Sequence, residues 1–194
     1  HQKGKKPILI SDLKLLINAI DESQEKHIRK IRDKALILIG FSGGFRRSEL
    51  VNIEIQDIEF VTEGVKIFVK RSKTDQSGEG MRKAIPYFNN NQFCPVIALK
   101  KWIDAFEKNQ NKIFNISDKN VALIIKKYAS IAGLDSNKYA GHSLRSGFAT
   151  SAAESGAEER NIMAMTGHKT TEMVRRYIKE ANLFKNNALN KIKI

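Results

Sequence analysis

A single cysteine, Cys94, occurs in the 194 residues. An intrachain disulfide is therefore excluded, and such usage is what a reducing cytosol gives, so a cytoplasmic location is expected. No apolar run approaches the roughly 18 residues that cross a bilayer, and no signal peptide is visible, so a membrane protein is not expected. There is no G-x-x-x-x-G-K-[ST] loop to hold a nucleoside triphosphate. There is no carboxylate cluster and no Cys/His grouping, so neither a metal nor a cofactor is expected. Internal repeats and low-complexity tracts are also missing. Acidic residues are in short supply, with 21 Asp and Glu against 34 Lys and Arg, for a formal net charge of +13.

That excess of positive charge marks a partner that is a polyanion, with nucleic acid first. An anionic membrane surface is the competitor. Against it, the basic residues are spread along the chain rather than gathered on one amphipathic helix. With 41% apolar residues the chain is globular, and its length fits one domain with a substantial core.

Helical periodicity runs through "SDLKLLINAI", with Ser11 or Asp12 as its cap, and through Glu25 to Phe41, where "SGG" stops it. "RRSEL" opens a short helical turn. From Asp57 the pattern alternates: "DIEFV", "VKIFVKR" and "RKAIPY" read as strands, the first two joined by the turn "TEG". Helices are expected again over 94–108, 118–132, 142–155, 158–166 and 170–179. Cys94, just before Pro95, reads as a small buried residue. The fold class is mainly α with a small antiparallel β-sheet of about three strands. Residues 1–7 read as a linker, 8–179 as one catalytic domain and 180–194 as a C-terminal tail.

Four stretches carry candidate chemistry. In "GGFRRSEL" two glycines let the backbone turn into an Arg, with Glu49 three residues after Arg46 to hold it. Arg grips phosphate oxygens with a planar fork. In "RSKTD" Lys73 sits at a strand end beside a polar loop, where an ammonium can deliver a proton. In "GHSLRSGFAT" His142 and Arg145 share a helical face, anchored by Leu144, Phe148 and Ala149. In "MTGHKTTEMVRRYIK" His168 follows a Gly, and Tyr177 lies on a helix capped by Thr170 or Thr171. Taken singly, each has a plainer reading: a capped helix end, a solvated hairpin lysine, a surface charge, a half-buried aromatic. Taken together, two Arg, one Lys and two His suit a phosphate with developing negative charge, and a Tyr beside them suits a nucleophile. Such a set fits phosphodiester cleavage through a protein-linked intermediate.

In this order the stretches resemble the catalytic domain of the tyrosine recombinases, the phage integrase family. "GGFRRSEL" resembles the family's Gly-Leu-Arg-x-Ser-Glu-Leu box and makes Arg46, not Arg47, the first catalytic arginine. "RSKTD" resembles the β-hairpin lysine region, with Lys73 as its lysine. "HSLRSGFAT" resembles the His-x-Leu-Arg box with His142 and Arg145, and "TGHKTTEMVRRYIK" the box that carries His168 and Tyr177. The resemblance implies Tyr177 as nucleophile, Arg46 and Arg145 on the phosphate oxygens, and Lys73 as general acid to the 5′-oxygen. It further implies proton transfer at the tyrosine by His142, a phosphate hydrogen bond from His168, and Glu49 orienting Arg46 or His142. Double-stranded DNA is the implied partner, with Arg47, Arg71, Arg175 and Arg176 on its backbone. The protein is expected to be a monomer when free and a homotetramer on DNA, its tail either packing on its own domain or docking on a neighbour. The N-terminal helical domain usual in the family is expected to be missing from this stretch. A type IB topoisomerase-like relaxase, a DNA-binding protein with a degenerate site, and a basic RNA- or membrane-binding module remain as alternatives.

Overall fold

The computed structural model describes residues 5–70, 80–106 and 110–182, together with Leu189 and Ile192. Eleven elements position the site. They are α1 (Ile10–Glu22), α2 (His27–Ser42), α3 (Arg47–Val51), β1 (Ile58–Val61), β2 (Gly64–Val69), β3 (Met81–Pro86), α4 (Pro95–Ala105), α5 (Asp118–Ile131), α6 (Ser143–Glu154), α7 (Glu159–Thr166) and α8 (Thr171–Asn182). The strands pair antiparallel in the order β1-β2-β3. The mainly helical class and the three-strand sheet agree with the sequence reading.

The core is built around α2, whose stretch Ala35–Phe41 is buried on every side. A helix apolar all round has to be surrounded, and α1, α4 and α6 pack against it. Leu13, Leu16, Ile17 and Ile20 form the apolar stripe of α1. On the sheet, Val65, Ile67 and Val69 alternate inward and meet Ile85 on β3. The same alternation carries Lys83 inward, opposite Ile67 in the register. Cys94 is fully buried at the start of α4, where Pro95 takes the first helical position.

One local detail differs from the sequence reading. The first helix begins at Ile10, and Leu9, not Ser11 or Asp12, is its N-cap. Asp12 instead lies buried in the first turn, 3.0 Å from Lys6 Nζ. An ion pair to the preceding chain has replaced a backbone cap.

That preceding chain is itself packed on the domain. Ile8 is buried, and its N–H donates to Ser143 O at 2.9 Å. At Gly147 on α6 an added Cβ would stand 1.9 Å from Ile8 O, a fixed backbone atom. Gly costs a helix interior about 1 kcal/mol relative to Ala, so the close crossing is what retains it here. Gly147→Ala is expected to destabilise the fold by about 1–3 kcal/mol through overpacking. Urea unfolding checks this, with a lowered midpoint and an unchanged slope.

The C-terminal helices pack separately. Ala149, Ala153, Ile162 and Val174 form a small second cluster where α6, α7 and α8 meet, and Tyr177 lies half-buried against it.

Candidate active site

The first part of the site is a turn. Gly43 ends α2, and Gly44 then takes φ +55, in the left-handed region that glycine enters without strain. The chain reverses there and delivers Arg46 to the start of α3. Glu49 sits one turn in and is buried. Its Oε2 accepts from the Arg46 N–H at 2.9 Å, and its Oε1 accepts from Arg46 Nη1 at 2.5 Å. One carboxylate thus caps the helix and aims the guanidinium. The hydrogen-bonded partner of Glu49 is Arg46, not His142.

The second part is Arg145, on the first turn of α6 and only 5% exposed. Its Nη1 donates to Gly44 O at 3.0 Å and to Thr166 O at the end of α7. Arg46 Nη2 donates to the neighbouring Gly167 O at 3.3 Å. The last carbonyls of a helix lack partners within it and carry its negative partial charge, so cations are well placed there. Burial pulls Arg145 down to about 10, Arg46 pushes the same way and Glu49 opposes them.

The third part is His168, 9% exposed just beyond α7. Its Nδ1 is 2.7 Å from Thr166 Oγ1, and that hydroxyl lies 2.7 Å from Ile162 O. A carbonyl only accepts, so the single hydroxyl proton goes to Ile162 O and Thr166 Oγ1 accepts from Nδ1–H. This network assigns the neutral His168 ring its proton on Nδ1 and leaves Nε2 with a lone pair. Burial, then Arg145, Arg46 and Lys83, lower the His168 pKa to about 4. The Tyr177 ring lies 6.0 Å from the His168 ring, centroid to centroid.

His142 stands at the exposed N-cap of α6. Partial burial and then Arg47, Arg145 and Arg46 draw its pKa below the usual imidazole value. Arg47 reaches it by lying against Gly141, where a Cβ would stand 1.7 Å from Arg47 Cδ.

The structure therefore brings Arg46, Glu49, His142, Arg145, His168 and Tyr177 to one place. Lys73 and Arg71 lie outside the described residues. Arg175 and Arg176 are exposed on α8, and Arg175 Nε is 3.3 Å from Glu159 Oε2 on α7. One residue at the site escaped the sequence reading: Lys83, fully buried on β3, hydrogen-bonds the backbone beside Arg145. Its signal was the two-residue spacing from Ile85.

Cations crowd this pocket around the Glu49 carboxylate, and they suppress protonation of both histidines. An anion entering it must do the reverse, by linkage. The 15N shifts of His168 are expected to show a neutral Nδ1–H ring at pH 7, titrating only as the pH nears 4. Saturating inorganic phosphate should move that titration upward. The sign for stability follows from the lowered pKa. The contribution of His168 is complete above about 6.5 and is lost as the pH falls through about 4.

A buried arginine and histidine, a second arginine aimed by a carboxylate, and a tyrosine beside them on a helical domain with a three-strand sheet define a catalytic domain of the tyrosine recombinase type. Residues 10–183 match the model of the phage integrase family, and the chain belongs to that family. It is 48% identical to the integrase/recombinase xerD homolog of Selenomonas ruminantium, over 98% of this chain and 59% of that protein. It is 30% identical to the tyrosine recombinase XerA of Pyrococcus horikoshii, over 93% of this chain and 63% of that protein. The chain thus spans about three fifths of the length of these relatives. Among solved structures, XerA recombinase superposes with a TM-score of 0.75 at 20% identity, covering 100% of this chain and 68% of that one. The XerH site-specific recombinase, in its post-cleavage complex with a palindromic difH substrate, superposes with a TM-score of 0.73 at 18% identity, covering 95% of this chain and 54% of that one.

Proposed function

We propose that this chain is the catalytic part of a site-specific DNA recombinase, or integrase, that cuts and rejoins DNA strands through a 3′-phosphotyrosine. The observation that carries the reading is the convergence of Arg46, His142, Arg145 and His168 beside the Tyr177 ring. Tyr177 Oη attacks the scissile phosphorus, and the bond from phosphorus to the 5′-oxygen breaks. The phenolic proton passes toward His142, and the 5′-oxygen takes a proton from Lys73 and leaves as a hydroxyl. Arg46 and Arg145 hold the non-bridging oxygens as charge grows on them. His168 faces the phosphate through Nε2 and donates once the bound anion has raised its pKa. A 5′-hydroxyl from a second duplex then attacks the phosphotyrosine and restores a phosphodiester. One phosphoester bond replaces another at each step, so no ATP is consumed.

The rest of the basic surface serves binding. Arg47, Arg71, Arg175 and Arg176 meet backbone phosphates of double-stranded DNA, so affinity falls with salt. Two duplexes and four strand cuts call for a homotetramer on DNA, assembled from monomers. The tail over 180–194 docks on the neighbouring protomer. The work is done in the cytoplasm, on chromosomal or mobile-element DNA.

The test uses nicked suicide duplexes made from DNA that flanks the gene. They are mixed with this chain, and with the chain extended at its N-terminus to the length of its relatives. A covalent protein–DNA adduct on denaturing gels is expected, with recombinant products from paired duplexes. Relaxed plasmid without recombinants would favour the topoisomerase-like chemistry. Measurable DNA binding by the longer protein with no adduct would overturn strand cleavage altogether.

A further inference from the structure

Lys83 is a cation in a place that should hold an apolar residue. It lies on the inward face of β3 between positions that pack as Ile67 and Ile85, and its solvent exposure is 0%. Its Nζ donates to Gly43 O at 2.6 Å and to Met165 O at 2.5 Å, and sits 4.4 Å from the centre of the Phe45 ring. No carboxylate among the described residues bonds it directly. Glu49 acts on it only through space, while Arg46 and Arg145 repel it and it in turn acts on His168.

The two carbonyls it takes are the neighbours of those that Arg145 takes. Lys83 joins residue 43 to residue 165, and Arg145 joins residue 44 to residue 166. Arg46 then holds the carbonyl of residue 167. Three cations thus read consecutive carbonyls at the end of α7, and two of them are bound at the same time to the turn before Arg46. Lys83 is the member that comes from the sheet. Burying an ammonium without a paired anion opposes folding, and burial indeed draws this one down to about 7. Such a cost is retained where function needs a group held in place.

We infer that Lys83 is a positioning residue for strand cleavage, clamping the turn at 43–46 to the end of α7 so that Arg46, Arg145 and His168 face one phosphate together. The inference rests on the proposed cleavage chemistry for its consequence, though not for the clamp itself. A shift of about 1 Å in such a frame can cost on the order of a hundredfold in rate.

The test is Lys83→Met, which fills the same space without charge or donors, read in three ways. The thermal midpoint should equal or exceed that of the unaltered protein, because a buried charge has been removed. Affinity for the duplex, measured in the Tyr177→Phe background, should stay within about threefold, while single-turnover adduct formation falls at least about tenfold. Amide exchange should quicken at residues 43–46 and 165–168 and not in the middle of α2. A core-filling lysine predicts unchanged exchange and an unchanged rate, and that result would overturn the clamp. If the longer protein forms no adduct at all, the cleavage reading has failed, and the exchange pattern still decides whether Lys83 is a clamp. Should Lys83→Met not fold, Lys83→Gln, which keeps a donor without the charge, is read in the same three ways.

Discussion

Tyr177→Phe is expected to abolish the covalent protein–DNA adduct, a loss of at least about 10⁴-fold, with DNA affinity unchanged within about twofold. The separation of the two effects follows from how the side chain is held. The ring is half-buried against the small cluster of Ala149, Ala153, Ile162 and Val174, and its centre lies 6.0 Å from that of His168. Phenylalanine keeps that packing and removes one oxygen, the proposed nucleophile. On the proposed reading, phosphate binding depends on Arg46, Arg145 and the surface arginines, which the substitution leaves in place. Gel shifts measure affinity, and a denaturing gel with a suicide duplex measures the adduct. A persistent adduct in the phenylalanine variant would mean that another nucleophile does the chemistry. Lost affinity together with lost adduct would mean that the hydroxyl is a binding group.

What could be read from the sequence was chemistry carried by side chains at short spacing. Arg46 with Glu49, and His142 with Arg145, are each three residues apart, so a single helical turn brings the members of each pair together. Alternation gave the three strands, and the double glycine after Phe41 gave the turn that presents Arg46. What stayed hidden was carried by the backbone. The carbonyls of residues 43, 44 and 165–167 organise Arg46, Lys83 and Arg145, and a carbonyl has no signature in a sequence. Thr166 was equally silent, since its hydroxyl fixes the His168 tautomer only through the local end of α7. Lys83 was within reach: counting by two from Ile85 places it inward. In a chain with 34 Lys and Arg, however, one more lysine reads as surface. The cap of α1 was misread for a related reason. Ser11 and Asp12 are good caps in isolation, but the contact of Asp12 with Lys6 depends on where the preceding chain lies.

Arg145→Gln should lower the rate of adduct formation by about a thousandfold and at the same time raise the pKa of His168 above its present value of about 4. The two effects share one cause. The guanidinium is buried, and it bridges the turn at Gly44 to the end of α7. In the transition state of the proposed cleavage its charge meets the growing charge on phosphate oxygens, in a setting where water screens little. In the free protein the same charge repels a proton from His168, and Arg46 and Lys83 do likewise. Glutamine keeps an N–H donor for one carbonyl and removes the charge. Affinity for long duplexes should fall only slightly, because many other phosphate contacts supply it. The histidine titration, followed by 15N NMR, needs no DNA and no turnover. A raised His168 pKa with a lowered rate would tie the pocket's electrostatics to its chemistry. An unmoved His168 pKa would show that the charge felt at the imidazole comes from Arg46 and Lys83 instead. The hydrogen bonds of Arg145, rather than its field, would then be its contribution to the ring beside it.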